Sequence, residues 1–192
     1  MKGQILIGAG LVLAMAAAAT PALAEGNANF VLGGRALGEN DWSPVEEQGV
    51  VGVTVDFGKE SWPVHLVAGL MASRGEDESM TLDFDGKVSE ISFGVLKIWE
   101  IAGGKMRPFI GGGLAAVSAE VEVESFGTSL SVDDKSGAFY AQGGIFWRIG
   151  SRFNLGVDAR VLRGSDFQIG DDEGSADYEQ LGLLLGWGWP AE

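Results

Sequence analysis

The sequence predicts an all-β chain, folded as one up-and-down antiparallel barrel of about eight strands. Three observations carry this. After residue 29, apolar or aromatic residues recur at every second position in eight stretches. The polar connections between the stretches alternate between short and long. Aromatic residues collect where the stretches meet the short connections. A period of two belongs to a strand whose two faces meet different surroundings.

The stretches follow in order. The first, Phe30–Leu37, is apolar on both faces. The second, Gln48–Phe57, places Gly49, Val51, Val53, Val55 and Phe57 on one side, with Val50, Gly52, Thr54 and Asp56 on the other. Pro63–Ala72, Val88–Trp99 and Arg107–Glu124 come next. The sixth, Ser136–Ile149, sets Phe139, Ala141, Gly143, Ile145, Trp147 and Ile149 against Tyr140, Gln142, Gly144 and Arg148. The seventh sets Phe153, Leu155, Val157, Ala159 and Val161 against Asn154, Gly156, Asp158 and Arg160. The eighth sets Leu181, Leu183, Leu185, Trp187 and Trp189 against Gln180, Gly182, Leu184, Gly186 and Gly188. Splitting the long fifth and sixth stretches differently would give ten strands. The prolines after residue 24, at 44, 63, 108 and 190, lie in loops or near strand ends, where a missing N–H costs least.

Residues 1–24 have another character. Lys2 precedes an apolar run from Ile5 to Ala19, then Thr20-Pro21 and the small-residue site Ala22-Leu23-Ala24. That is the plan of a secretory signal peptide, cleaved between Ala24 and Glu25, which leaves 25–192 as one barrel domain. The 192-residue chain carries a net charge of −14, which argues against nucleic acid as a partner. It has no cysteine, so neither disulfides nor thiolate chemistry is available.

Side-chain size separates a membrane barrel from a soluble one. The polar face is mostly small and glycine-rich, which suits a narrow interior better than a water-facing exterior. Short connections lie near 58–62, 100–105 and 150–152, and long polar ones near 38–47, 73–87, 125–135 and 165–177. Short inner turns alternating with long outer loops is the connectivity of transmembrane barrels. Phe57, Trp62, Trp99, Phe109, Trp147, Phe153, Trp187 and Trp189 map to the short-turn rim, and they include five of the six tryptophans. Such a girdle forms where rings sit at headgroup level, here on the periplasmic side.

The run Arg107-Pro108-Phe109-Ile110-Gly111-Gly112-Gly113-Leu114 resembles the R-P-Y-x-G-x-G strand opening of the OmpA/OmpX-like outer-membrane β-barrel superfamily. The ending Leu181–Trp189 resembles the carboxy-terminal strand read by the outer-membrane assembly machinery, although Pro190, Ala191 and Glu192 follow it here. The resemblance implies a bacterial outer-membrane location, with that machinery and outer-membrane lipid, including lipopolysaccharide, as partners. The expected state is a monomer.

No residue pattern points to a catalytic site, a cofactor or a metal. His65 is the single histidine and falls on the inner face near the periplasmic rim. The barrel enzymes that remodel lipid A work at the other leaflet, and Val67 stands where the His-x-Ser pattern of the deacylases has serine. The inner face is expected to hold Arg35, Asp56, His65, Glu120, Tyr140, Gln142, Arg148, Asp158 and Arg160, with Glu122 beside Glu120. Charges of both signs in a narrow interior form a hydrogen-bonded plug, since buried charges persist only when paired. Glu39, Asp41, Glu46, Glu47, Glu76, Asp77, Glu78, Asp83, Asp85, Asp133, Asp134, Asp166, Asp171, Asp172, Glu173 and Asp177 make the long loops acidic. None has the spacing of a calcium loop. A solvated repelling surface explains the acid, and divalent ions bridging it to lipopolysaccharide phosphate are the alternative. The glycine pairs and triplets at 33–34, 111–113 and 143–144 lie inside strands with no helix after them, so they mark close packing rather than phosphate binding. The expected function is that of a non-enzymatic outer-membrane barrel with a filled lumen, whose acidic loops serve envelope integrity or surface interaction. A narrow pore, a small-ligand carrier and a lipid-modifying enzyme are the alternatives.

Overall fold

A computed structural model describes residues 25–38, 42–59, 61–78, 83–125, 128–169 and 172–189. The strands are β1 (Glu25–Leu37), β2 (Glu47–Gly58), β3 (His65–Glu78), β4 (Asp83–Ile98), β5 (Met106–Ser125), β6 (Thr128–Ile149), β7 (Phe153–Arg163), β8 (Asp166–Ile169), β9 (Asp172–Ser175) and β10 (Tyr178–Trp189). Eight of them close one antiparallel barrel in the order β1-β10-β7-β6-β5-β4-β3-β2. The remaining two, β8 and β9, form a separate hairpin. Closure is made by β1 on β10, in register from Gly26 opposite Trp189 to Leu37 opposite Tyr178. It removes both sheet edges and lets each strand satisfy its backbone groups against two neighbours. The count is therefore eight, and the proposed signal peptide at 1–24 lies outside the described residues.

The alternation in the sequence becomes an alternation of burial. Along β7 every even-numbered residue from Asn154 to Leu162 is buried, and every odd one is exposed. The sense is opposite to that of a soluble sheet. Phe30, Leu32, Val53, Phe93, Leu114, Leu155 and Leu183 point outward, whereas Asn27, Arg35, Asp56, Glu90 and Arg160 are buried inside. Among the described residues, 24 large apolar side chains are exposed, far more than the isolated patches a water-facing monomer carries.

Two connections expected as loops are strand. The β3–β4 ladder runs on to Glu78 opposite Asp83, and the β5–β6 ladder to Ser125 opposite Thr128. The last long connection holds the β8–β9 hairpin. In the upper β3–β4 ladder backbone pairing continues without apolar alternation, through Gly75 opposite Gly86 and Glu76 opposite Asp85. The flanking ladders stop lower, at Gly49 opposite Arg74 for β2–β3 and at Phe139 opposite Arg163 for β6–β7. Four strands, β3 to β6, thus rise above the closed barrel as an open sheet. The first strand also starts earlier than its apolar stretch, at Glu25.

Two apolar clusters sit inside. One, mid-barrel, joins Val31, Val50, Val67, Met71, Leu96, Phe109, Phe146 and Leu184. The other caps the outer end. There Trp42 and Val45 of the β1–β2 connection fold in against Leu37, Val88, Val117 and Leu162, and Ala176 of the β9–β10 link joins them.

Candidate functional site

The strand parity that turns apolar side chains to the outside sends the complementary residues of all eight strands into one shared interior. Two polar layers result, separated by the mid-barrel apolar cluster. The outer layer is centred on Glu90 of β4, which is 2% exposed. One of its carboxylate oxygens receives Arg160 Nη2 in a very close contact. The other accepts the Tyr178 hydroxyl at 2.5 Å and faces Arg35 Nη2 at 3.5 Å. Arg160 also donates to Gln142 Oε1 and to the Tyr178 hydroxyl oxygen, both at 2.9 Å. Arg35 donates to Gln180 Oε1 at 2.9 Å and to Ser73 Oγ at 3.3 Å, and Ser73 in turn donates to Gln48 Oε1 at 2.6 Å. Each guanidinium lies over a phenol ring, Arg35 over Tyr178 and Arg160 over Tyr140, at 3.7 Å from the centroid. Planar guanidinium groups suit this duty because they stack and donate in several directions at once.

The second layer lies at the short-turn end. Asp56 accepts from Asn27 Nδ2 at 2.9 Å and contacts His65 Nδ1 at 2.9 Å. The far nitrogen of His65 faces Glu25 at 3.5 Å. Asn27 Oδ1 receives Asn154 Nδ2 at 2.8 Å and Arg107 Nη1 at 3.4 Å. Both His65 ring nitrogens are therefore turned to carboxylates, and among the described residues no hydroxyl nucleophile is hydrogen-bonded to the ring. That arrangement holds an imidazole in place, and it lacks the third member of a nucleophilic triad. Between the layers is a cavity of about 10 Å³, lined by Asn29, Thr54, Asp56, Gln142 and Asp158 with apolar neighbours, room for a single water. No group of three or more metal-ligating side chains occurs among the described residues.

The structure brings Arg35, Tyr140, Gln142 and Arg160 together in the outer layer, and Asp56 with His65 in the inner one. Asp158 lines the cavity, and its Oδ1 makes no hydrogen bond among the described residues. Arg148 is half-buried at the short-turn end. Glu120 is a correction. The inner face of β5 carries Arg107, Phe109, Ala115, Val117 and Ala119, so even-numbered Glu120 falls on the outward face with Ile110 and Leu114. It lies opposite Lys87 and Asp133, where the ladder has left the apolar band. Glu122 continues the same ladder opposite Asp85 and Ser131.

Of the expected girdle, Trp62, Trp99, Trp147, Phe153 and Trp187 are exposed at the short-turn rim. Phe57 and Trp189 are half-buried there. Phe109 is the second correction. It is 5% exposed and stacks on Phe146 inside the barrel, centroids 4.6 Å apart. Counted in twos from Arg107, it belongs to the inner face, and its ring fills the mid-barrel apolar cluster. Sequence reasoning missed Glu90, Arg107 and Tyr178 as members of the interior, while Gln180 lies on the face it assigned there. Parity alone would have found Glu90, by stepping back in twos from Leu96 through Gly94 and Ser92, opposite the apolar Ile91, Phe93 and Val95.

No family model matches this sequence, and a search of the curated proteins finds no match. Solved structures do match. Neisserial surface protein A is 10% identical, with 85% of this chain and 96% of that chain covered and a TM-score of 0.57. Ail, the attachment invasion locus protein of Yersinia pestis, is 14% identical over 87% of this chain and 99% of its own, with a TM-score of 0.55. Ail in complex with the heparin analogue sucrose octasulfate gives 0.56 at 13% identity, over 86% of this chain and 97% of that one. Identities this low speak to architecture alone. The chain has the fold of the small eight-stranded outer-membrane barrels of the OmpA/OmpX-like type.

Proposed function

We propose that this chain is an integral protein of the bacterial outer membrane that conducts nothing and acts through the sheet it raises above the surface. The observation that carries the reading is the coincidence of an apolar exterior with an interior closed by two paired polar layers and an apolar cap. An interior of eight strands is just wide enough for side chains to fill. Here Trp42, Val45 and Ala176 complete the filling at the outer end. A pore would need a continuous wet path, and the mid-barrel cluster of Val31, Val67, Leu96, Phe109 and Phe146 interrupts it.

The interaction surface is the open sheet of β3 to β6 together with the hairpin. Its sequence is rich in acid, with Glu76, Asp77, Asp83, Asp85, Glu120, Glu122 and Glu124 all on strand. A sulfated polyanion, such as the heparin analogue held by Ail, is the wrong sign for such a surface. A cationic partner, or divalent ions between the sheet and lipopolysaccharide phosphate, is the right one. His65, held between Asp56 and Glu25, supports a positioning role rather than chemistry. Conductance across planar bilayers tests the closed lumen: purified folded protein should leave the bilayer silent at ±100 mV. Discrete channel events that grow in conductance when Trp42 and Val45 are replaced by alanine would establish the pore reading instead.

A further inference from the structure

The short-turn rim carries cations that no described carboxylate answers. Lys59, Lys105 and Arg152 are exposed there, one on each of the three short turns, and Lys97 emerges half-buried beside Trp99. Among the described residues none of the four makes an ion pair, whereas Arg74 and Arg163 at the opposite end pair with Glu76 and Glu179. An indole accompanies each turn. Lys59 Nζ lies 5.9 Å from the Trp62 ring centroid and Arg152 Cζ 5.8 Å from that of Trp187, while Trp99 stands at the turn that carries Lys105. The turns alternate around the closed strand order, so the cations surround the barrel rather than forming one patch. Among the described residues the carboxylates of this rim are engaged, Glu25 by His65 and Glu100 by Arg107 at 3.4 Å.

We infer that this rim is a binding collar for anionic phospholipid headgroups of the leaflet it meets. An indole at headgroup depth places its ring among the glycerol and carbonyl groups. A lysine or arginine next to it then sits at phosphate level, where neutral indole gives it no counter-charge. Basic side chains near an anionic lipid surface gain attraction that salt screens over about a Debye length. The acid-rich outer end cannot bind the same ligand directly, so the molecule is polarised, with direct contact to lipid phosphate at the short-turn rim only. The collar rests on the membrane-embedded reading proposed above.

The rim tryptophans supply the test, because they sit where the lipid would bind. The full chain is refolded into phosphatidylcholine vesicles containing a fixed fraction of brominated phosphatidylglycerol or, separately, of brominated phosphatidylcholine. Tryptophan quenching then gives the relative association of the two headgroups. The collar requires stronger quenching by the anionic lipid at low salt, a preference that fades by 0.5 M salt. The triple variant Lys59→Gln, Lys105→Gln, Arg152→Gln should abolish that preference, each neutralised charge costing up to about five-fold in local association. The charge-keeping variant Lys59→Arg, Lys105→Arg should retain it, as should Arg163→Gln at the far end. Equal quenching by both lipids in the unaltered protein, or a preference that survives the triple variant, overturns the collar while leaving the barrel in the bilayer. Quenching by neither lipid overturns the embedded reading itself.

Discussion

Glu90 is the residue on which the outer polar layer turns. A single carboxylate serves Arg160, Arg35 and the Tyr178 hydroxyl, all inside the barrel. Removing it leaves two guanidinium groups buried without their anion, and breaking a buried pair from one side costs about 3–5 kcal/mol. Glu90→Ala is therefore expected to lower stability in lipid vesicles by that amount, read from urea unfolding curves. The exposed pair Arg163–Glu179, at 2.8 Å, gives the comparison, and Glu179→Gln should change stability by less than about 1 kcal/mol. A second residue offers a gain. Ala102, in the turn after β4, has φ 51°, in the left-handed region where a Cβ crowds the carbonyl. Ala102→Gly should raise stability by about 1 kcal/mol in the same assay. Much of the interior was readable residue by residue, since Asp56, Asp158 and Arg160 sit on strands whose apolar face is unmistakable, whereas Arg35 lies on a stretch apolar on both faces. Glu120 and Phe109 were misplaced for opposite reasons. Glu120 lies beyond the apolar band, where the sequence alternates in the opposite sense, acid at 120, 122 and 124 against Ala119, Val121 and Val123. Phe109 is an aromatic at a strand end, and near the rim only the count from Arg107 tells an inward ring from a girdle ring.

At the scale of the strand, glycine decides how closely neighbours approach. A Cβ on Gly113 of β5 would strike the Phe93 carbonyl oxygen and Gly94 Cα of β4, whereas one on Gly34 of β1 would meet nothing within 4 Å. Gly113→Ala must push two hydrogen-bonded strands apart, and overpacking of that kind costs about 1–3 kcal/mol. Gly34→Ala should be nearly neutral, so comparing the two by unfolding midpoint separates close approach from mere loss of flexibility. Strand existence was legible wherever one face is apolar and the other polar or small. Strand length was not. The upper halves of β3, β4 and β6 were expected as acidic loops, because their acid- and serine-rich sequence shows too little apolar alternation to read, whereas β5 was expected as strand through Glu124. The hairpin of β8 and β9 shares that cause, four residues a side and polar throughout apart from Phe167 and Ile169.

For the molecule as a whole, the balance of faces decides where it can live. Two paired polar layers are inside, and the apolar band is outside, so burial by water-facing collapse would leave the large side chains exposed at about 1.5–3 kcal/mol each relative to an apolar medium. Closure of β1 on β10 makes the lipid setting possible, since an open edge would strand backbone groups in hydrocarbon. The most direct measurement of this arrangement uses the absence of cysteine from the chain. Single cysteines placed in turn at positions 154 to 161 of β7, each spin-labelled after refolding into vesicles, report contact with oxygen from the lipid phase and with a water-soluble nickel chelate. The embedded, filled barrel gives high oxygen contact at 155, 157, 159 and 161, and low contact with both agents at 154, 156, 158 and 160. High chelate contact at the odd positions would place water outside the barrel, and high chelate contact at the even ones would open the lumen; either contradicts it.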